Sequence, residues 1–270
     1  MEELLLHIQT LFNIPAWGLA VVGILVFVAG YVDAIAGGGG LISLPAYLIA
    51  GLPTHTAIAT NKLSSAMGTA VSTWHYAKSG FIHLSLAIPA ILCAFIGSGA
   101  GSNLVLLVDD FVLKILLLAI LPLTAVYVMR SKQLTNDVSS SYSRKKITLI
   151  SCLIALVIGA YDGFYGPGTG TFLILTLTGI AQLRLDAAAG LTKAINLSTN
   201  VASLVVFLLH GEVLILLGLV AGIFGILGNY LGSHQFTSKG AGVAKPITIT
   251  VLIIFFGKVI YDLLLETGIL

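Results

Sequence analysis

The chain has 270 residues, of which 57% are hydrophobic and only 9% are charged, and its mean hydropathy is +1.05. A soluble globular domain carries about 25% charged residues, so this composition excludes a soluble protein and indicates an integral membrane protein. The formal net charge of +2 is too small to indicate a nucleic-acid partner.

Apolar segments follow one another along the whole chain, and most approach the ~20 residues that a transmembrane helix needs. We therefore predict an all-α fold, a polytopic transmembrane helical bundle of about ten segments. Two of the segments are only about half the required length, and each directly follows a glycine-rich stretch. Short segments of this kind are typical of the broken helices of transporters. The segments lie near residues 16–36, 41–51, 56–77, 84–107, 111–129, 147–165, 170–181, 185–209, 213–236 and 246–266.

The two glycine-rich stretches are Asp33-Ala-Ile-Ala-Gly-Gly-Gly-Gly40 and Asp162-Gly-Phe-Tyr-Gly-Pro-Gly-Thr-Gly170. We call them the first and second break. In a helix Gly costs about 1 kcal/mol and Pro about 3 kcal/mol relative to Ala, so a continuous helix is disfavoured there. Each break leaves N–H groups at the start of a half-helix, where the partial positive charge suits an anion. Taken alone, the glycines fit close helix packing equally well.

The second half of the sequence resembles the first. A shift of 131 residues superimposes Lys62 on Lys193, and a shift of 129 superimposes Asp33 on Asp162. Rare intramembrane charges that coincide in this way indicate a duplication. Five segments per repeat is an odd number, so the two repeats are predicted to be inverted relative to each other. The predicted units are a first transmembrane repeat at 1–130, a cytoplasmic linker at 131–145 and a second repeat at 146–270.

Basic residues in short loops mark the cytoplasmic side of a membrane protein. The central loop around the linker is rich in them, so we predict that it is cytoplasmic. If all ten segments cross, Lys78, Arg184 and Lys239 fall on the same side and both termini lie outside. If the half-length segments only re-enter, Lys239 lies outside, against the rule. The sequence therefore favours ten crossings in a multi-pass protein of the cell membrane.

Lys62 and Lys193 interrupt apolar helices, where a charge costs about 2.5–3.5 kcal/mol and therefore usually faces a cavity or a partner. Polar residues follow each lysine at helical spacing, which places them on one face of the helix. These stripes favour a shared cavity, although lysines that reach the interface or pair with an acid are the alternative. The stripes are Lys62, Ser65, Thr69 and Ser72 in one repeat, and Lys193, Asn196, Asn200 and Ser203 in the other.

Asp33 and Asp162 stand at the starts of the breaks, and a buried carboxylate must be paired, hydrogen-bonded or protonated. Each could neutralise Lys62 or Lys193, cap the following half-helix, or take up a proton during transport. An intramembrane enzyme that uses the two carboxylates as acid and base is a weaker hypothesis, because no nucleophile or metal-ligand cluster accompanies them. No catalytic residue, metal or cofactor is predicted.

Half-helix N-termini, two lysines and rows of hydroxyl and amide groups together favour a small anion, because they supply charge-assisted hydrogen bonds in a low-dielectric setting. We predict a secondary transporter that binds the anion between the breaks and rocks one repeat against the other. An anion channel on the same scaffold is the alternative, and a homo-oligomer is left open. The predicted substrate-binding residues are Gly38, Gly39, Gly40, Asn61, Lys62, Ser65, Gly168, Thr169, Gly170, Thr192, Lys193 and Asn196.

The breaks, together with Ala59-Thr-Asn-Lys62, resemble the TauE/SafE family of sulfite exporters and sulfonate permeases over nearly the whole chain. The resemblance implies a plasma-membrane carrier for sulfite, a sulfonate, sulfoacetate or a related sulfur-containing anion. It also implies that the glycine motifs, Asn61-Lys62 and Thr192-Lys193 form the anion site. Thr192 stands where the first repeat has Asn61, so the site need not be symmetric. Neither the anion nor the direction of transport follows from the resemblance.

Overall fold

The computed structural model describes residues 10–109, 111–113, 116 and 142–239, and within these residues it is helical without strands, which confirms the all-α prediction. The predicted segment 246–266, most of segment 111–129, the linker up to residue 141 and both termini lie outside the described residues. The main helices are α1 (Ala16–Ala36), α2 (Gly40–Ile49), α3 (Thr54–Lys78), α4 (Leu84–Val105), α5 (Arg144–Phe164), α6 (Thr169–Gly179), α7 (Leu185–Leu209) and α8 (Ile215–Lys239).

Five of these helices, α1, α4, α5, α7 and α8, are long and apolar enough to cross a membrane. Helix α3 is equally long, at 25 residues, but it is more polar because of the stripe that follows Lys62. Helices α2 and α6 have only 10 and 11 residues. The structure therefore contains the two half-length helices that the sequence predicts.

A glycine follows the last residue of the full-length helix α1, and another glycine precedes the first residue of the half-helix α6. Helix α1 ends at Ala36, and Gly37 closes it in the left-handed conformation with a φ of 75°. Helix α6 is preceded by Gly168, which has a φ of 85°. Residues with a Cβ rarely adopt this conformation, so these glycines allow the chain to reverse direction within the bundle.

Each break turns its chain back in a hairpin. A Cβ on Gly18, near the start of α1, would stand 3.2 Å from the Cβ of Ala50, directly after α2. Helix α2 therefore returns to the end of the bundle at which α1 begins. Likewise, Leu183 after α6 packs in one hydrophobic cluster with Ile82 and Ala87, at the start of α4. The start of α5 lies at that same end, because Arg144 donates a hydrogen bond to Ser85.

The two hairpins enter the bundle from opposite ends. His55 at the start of α3 contacts the carbonyl of Val105 at the end of α4 over 3.0 Å, so the α1–α2 end is the end where α4 finishes. Helix α4 starts at the other end, beside the α5–α6 hairpin. This opposition is what an inverted arrangement requires, while the division into two repeats stays a prediction.

The last described helix of each predicted repeat packs against the other repeat. Helix α4 packs on α5 and α7, α8 packs on α1 and α3, and α3 and α7 pack on each other. Glycines allow these close approaches: a Cβ on Gly101 would stand 2.0 Å from the Ala160 carbonyl, and one on Gly232 would stand 2.4 Å from the Tyr31 carbonyl. Small residues commonly permit such contacts between membrane helices.

Candidate functional site

The two breaks touch each other in the middle of the bundle. A Cβ on Gly37 would stand 2.3 Å from the carbonyl carbon of Gly170, and one on Gly170 would stand 2.5 Å from the Cα of Gly37. Across the same contact, the hydroxyl of Thr171 donates to the carbonyl of Ala36 over 2.8 Å. Only glycine fits at such a backbone contact. The starts of the two half-helices therefore converge on one region.

Lys62 in α3 pairs with Asp162 at the start of the second break. Its Nζ lies 3.0 Å from Asp162 Oδ2, with both side chains 3% exposed. The ammonium also donates to the Asp162 carbonyl over 2.7 Å. Asp162 Oδ1 in turn accepts a hydrogen bond of 2.9 Å from the hydroxyl of Thr169, the first residue of α6. The carboxylate therefore links a lysine of the first predicted repeat to the half-helix of the second.

Lys193 in α7 makes the corresponding contact with the first break. Its Nζ lies 2.7 Å from Asp33 Oδ2 and also donates to the Asp33 carbonyl. The Lys193 side chain is 1% exposed and that of Asp33 is 13% exposed. Each lysine thus binds the break of the other predicted repeat. Each aspartate therefore neutralises a buried lysine, which is one of the three roles that the sequence left open for it.

A cavity lies beside the contact between the breaks. It brings together most of the predicted site residues. Gly38, Gly168, Thr192 and Lys193 do not line it. The predicted residues that do are Asp33, Gly39, Gly40, Asn61, Lys62, Ser65, Asp162, Thr169, Gly170 and Asn196.

The ion pairs change the charge of this site. The sequence argument counted both lysines as positive charge for an anion, but each lysine is offset by a carboxylate within 3.0 Å. The donors left for a ligand are therefore largely neutral. They are the amide and hydroxyl side chains of α3 and α7 and a few backbone N–H groups, those of Gly40 and Gly170, that have no acceptor among the described residues. The other N–H groups of the two first turns already donate to carbonyls of the breaks, namely those of Leu41, Ile42, Ser43, Thr169 and Phe172.

Several residues of the cavity wall were not among the predicted site residues. Asn200 belongs to the polar stripe of α7, so helical spacing could have added it. Asn229 is the first amide of helix α8 and follows a long apolar run, and its polarity was the only signal. The remaining ones with polar side chains are Ser43 of α2 and Ser64 and Thr69 of α3.

The family model of the sulfite exporter TauE/SafE matches residues 22–259. The chain belongs to the TauE/SafE family. This match confirms the resemblance seen in the sequence, and it covers the helices, both breaks and the cavity.

Three relatives of the TauE/SafE chain carry transporter names. "Probable membrane transporter protein ORF9" of Sinorhizobium sp is 35% identical over 97% of the chain and 96% of the relative. "Probable membrane transporter protein" of Haemophilus influenzae is 32% identical over 90% and 95%. "Probable membrane transporter protein YfcA" of Escherichia coli K12 is 32% identical over 94% of each chain. No solved structure matches the chain significantly.

The TauE/SafE chain is therefore a multi-pass membrane transporter rather than an enzyme. The hypothesis of an intramembrane enzyme loses its basis, since both carboxylates are also engaged with lysines. The names of the relatives specify neither a substrate nor a direction.

Proposed function

We propose that this TauE/SafE transporter carries a small sulfur-containing oxyanion, such as sulfite or a sulfonate, bound in the cavity between the two breaks. One observation supports this most strongly: the starts of α2 and α6 meet beside the buried Lys62–Asp162 pair. The N-terminus of a helix carries a positive partial charge of about half a unit, which favours an anion. Among the described residues, the N–H groups of Gly40 and Gly170 at these two helix starts have no acceptor and can donate to it. Two N-termini that converge on one cavity act on the same ligand.

Neutral donors around the cavity complete the proposed site. Asn61, Ser65 and Asn196 line it, and their hydroxyl and amide groups can donate hydrogen bonds to the oxygens of a sulfite or sulfonate group. Thr169 also lines the cavity, but its single hydroxyl hydrogen is donated to Asp162 Oδ1, so Thr169 acts through that carboxylate. Lys62 lies in the same wall. A hydrogen bond to an ionised group is about twice as strong as a neutral one, so several weak donors together hold an anion.

The charge balance suggests how a proton takes part. With both ion pairs intact, an arriving anion leaves the site with a net negative charge, which is costly at low dielectric. Protonation of Asp162 would restore neutrality and would release Lys62 to the anion. We therefore include in the proposal that Asp162 takes up a proton when the anion binds, and that Asp33 has this role for Lys193 in the other half of the cycle.

We propose that alternating access acts at the contact between Gly37 and Gly170 and that this contact closes the path between the two hairpins. Rocking of one hairpin against the other would open the opposite side. The ends of α3 and α8 and the starts of α5 and α7 carry Lys78, Lys239, Arg144 and Arg184. Basic residues favour the cytoplasm, so we propose that this end faces inside and that the termini lie outside.

Flux of radiolabelled sulfite and of a sulfonate into proteoliposomes tests the proposal. The variant is Lys62→Met combined with Asp162→Asn, which removes both charges of the pair and leaves no unpaired charge behind. We expect wild-type protein to transport at least one of the anions and the double variant to lose that flux while remaining folded. Wild-type flux in the folded double variant would reject the site.

The same vesicles separate a carrier from a channel. A carrier exchanges external labelled anion for internal unlabelled anion, so accumulation rises transiently when vesicles are preloaded. When the membrane potential of the vesicles is held at zero, a channel shows no such counterflow, and it gives a steady current in a voltage-clamped bilayer. We expect counterflow.

A further inference from the structure

Asn229 of α8 lines the cavity with an amide that is only half satisfied. The residue is 3% exposed. Its Nδ2 donates to the carbonyl of Gly225, one turn earlier in the same helix, over 3.0 Å. Its Oδ1 is buried and has no hydrogen-bond partner among the described residues. An unpaired buried acceptor destabilises a fold. Because Asn229 belongs to the cavity wall, a ligand in the cavity could supply the missing donor once a small movement of the wall gives it access to Oδ1.

The orientation of this amide is determined by its neighbours. Turning it over would set Oδ1 against the carbonyl oxygen of Gly225, so that two acceptors would face each other. Glycines of two other helices leave room for the group: a Cβ on Gly30 would stand 2.9 Å from Nδ2 and one on Gly68 would stand 2.5 Å from it. Asn229 is therefore wedged between α1 and α3 with a defined acceptor.

A purely structural role does not account for this arrangement. Amide side chains in membrane helices commonly stabilise bundles by hydrogen bonding to a neighbouring helix. The recorded bond of Asn229 instead remains within α8. Two other buried oxygens without a partner in the described part of the chain, Ser151 Oγ and Thr192 Oγ1, do not line the cavity. A third, Asp162 Oδ2, lies against the Lys62 ammonium.

We propose that Asn229 Oδ1 accepts a hydrogen bond from an N–H or O–H group of the transported anion, so that the transporter selects small anions carrying a donor group away from the anionic end. This inference rests on the proposed function, because it assumes that the anionic end lies near Lys62. Gly68, which touches Asn229, comes six residues after Lys62 in α3. That spacing is roughly 9 Å along the helix axis, and a short substituted sulfonate can act across it.

Three ligands that differ in one group test the inference: ethanesulfonate, 2-hydroxyethanesulfonate and 2-aminoethanesulfonate. Their dissociation constants are measured by calorimetry on the purified protein. We expect wild type to bind the two donor-bearing compounds about tenfold more tightly, the effect of one hydrogen bond to a buried acceptor. Asn229→Leu should bind all three alike, with the affinity that wild type has for ethanesulfonate.

Asn103→Leu is the matched control, because Asn103 makes the same local bond, from Nδ2 to the carbonyl of Gly99 over 2.8 Å, at an exposed position of α4. This variant should keep the tenfold preference. If Asn229→Leu fails to fold, Asn229→Asp decides instead. It retains an acceptor and should keep the preference, with the amino compound bound best because a carboxylate attracts ammonium.

The outcomes separate the two proposals. If wild type binds all three ligands with equal affinity, only the proposed role of Asn229 is overturned, and the sulfonate site stands. If Asn229→Leu weakens the binding of all three ligands equally and keeps the preference, Asn229 is a structural residue and the proposed role is overturned. Loss of the preference in Asn229→Asp overturns that role too. Absence of any binding to wild type rejects the sulfonate site as well.

Discussion

The Lys62–Asp162 pair offers the sharpest test of how the buried charges act. Both side chains are 3% exposed, and the lysine lies 3.0 Å from the carboxylate. We consider Lys62→Met, Asp162→Asn and the double variant. Each single change leaves one charge buried without its partner, whereas the double change removes both.

Breaking a buried pair by removing one partner costs about 3–5 kcal/mol, since the remaining charge is uncompensated. For a protein of this size, 1 kcal/mol shifts the Tm by about 2–4 °C, so each single variant should melt about 6–20 °C below wild type. Replacing both partners is often close to neutral. The double variant should therefore be more stable than either single variant, although it has lost transport.

Thermal unfolding in detergent, followed by intrinsic fluorescence, measures the four proteins. The exposed pair Arg184–Asp186 is the control, with the same kind of contact at 2.9 Å but side chains that are 65% and 33% exposed. Asp186→Asn should cost less than about 1 kcal/mol. If the double variant of the buried pair loses as much stability as the sum of the singles, the two charges do not compensate each other and the reasoning is wrong.

Three further predictions concern the breaks. Gly37→Ala should abolish transport and lower the Tm, because the new Cβ would stand 2.3 Å from the Gly170 backbone. The control Gly179→Ala, whose Cβ would have no neighbour within 4 Å, should leave flux and Tm unchanged. Flux assays and melting curves check both expectations. Thr169→Val removes the hydrogen bond to Asp162 and should lower anion flux several-fold, and Thr169→Ser should restore it; retained flux in the valine variant would contradict the role of this hydroxyl. Tyr76→Phe removes a bond of 2.6 Å to the Ala34 carbonyl and should cost about 1–3 kcal/mol in chemical denaturation; a cost near zero would show that the carbonyl finds another donor.

The breaks and half-helices could be predicted because their signals are local. Four consecutive glycines at 37–40 and a proline among glycines at 166–170 cannot continue a membrane helix without cost. The short apolar runs that follow then have too few residues to span. Both features depend on neighbouring residues in the chain, and the structure places both helix ends within a few residues of the predicted bounds.

The partners of the charges could not be predicted in the same way. Asp162 lies 100 residues from Lys62, and Asp33 lies 160 residues from Lys193. Either aspartate could have paired with either lysine, since the choice is determined by how the hairpins enter the bundle. For the same reason the sequence overstated the positive charge of the site. Asn229 was missed because it follows a long apolar run of α8 and no polar residue precedes it at helical spacing.

Protection of a cysteine in the cavity tests most directly that an anion binds between the breaks. Ser65 lines the cavity, and Ser85 is exposed outside it; each is changed to Cys in a protein whose native Cys93 and Cys152 are replaced by Ala. The rate of alkylation by N-ethylmaleimide is measured with and without the monoanion 2-hydroxyethanesulfonate. We expect the ligand to slow the reaction at Ser65→Cys, to leave Ser85→Cys unaffected, and to lose its effect when Lys62→Met and Asp162→Asn are added. Equal rates with and without ligand at Ser65→Cys would contradict a binding site in this cavity.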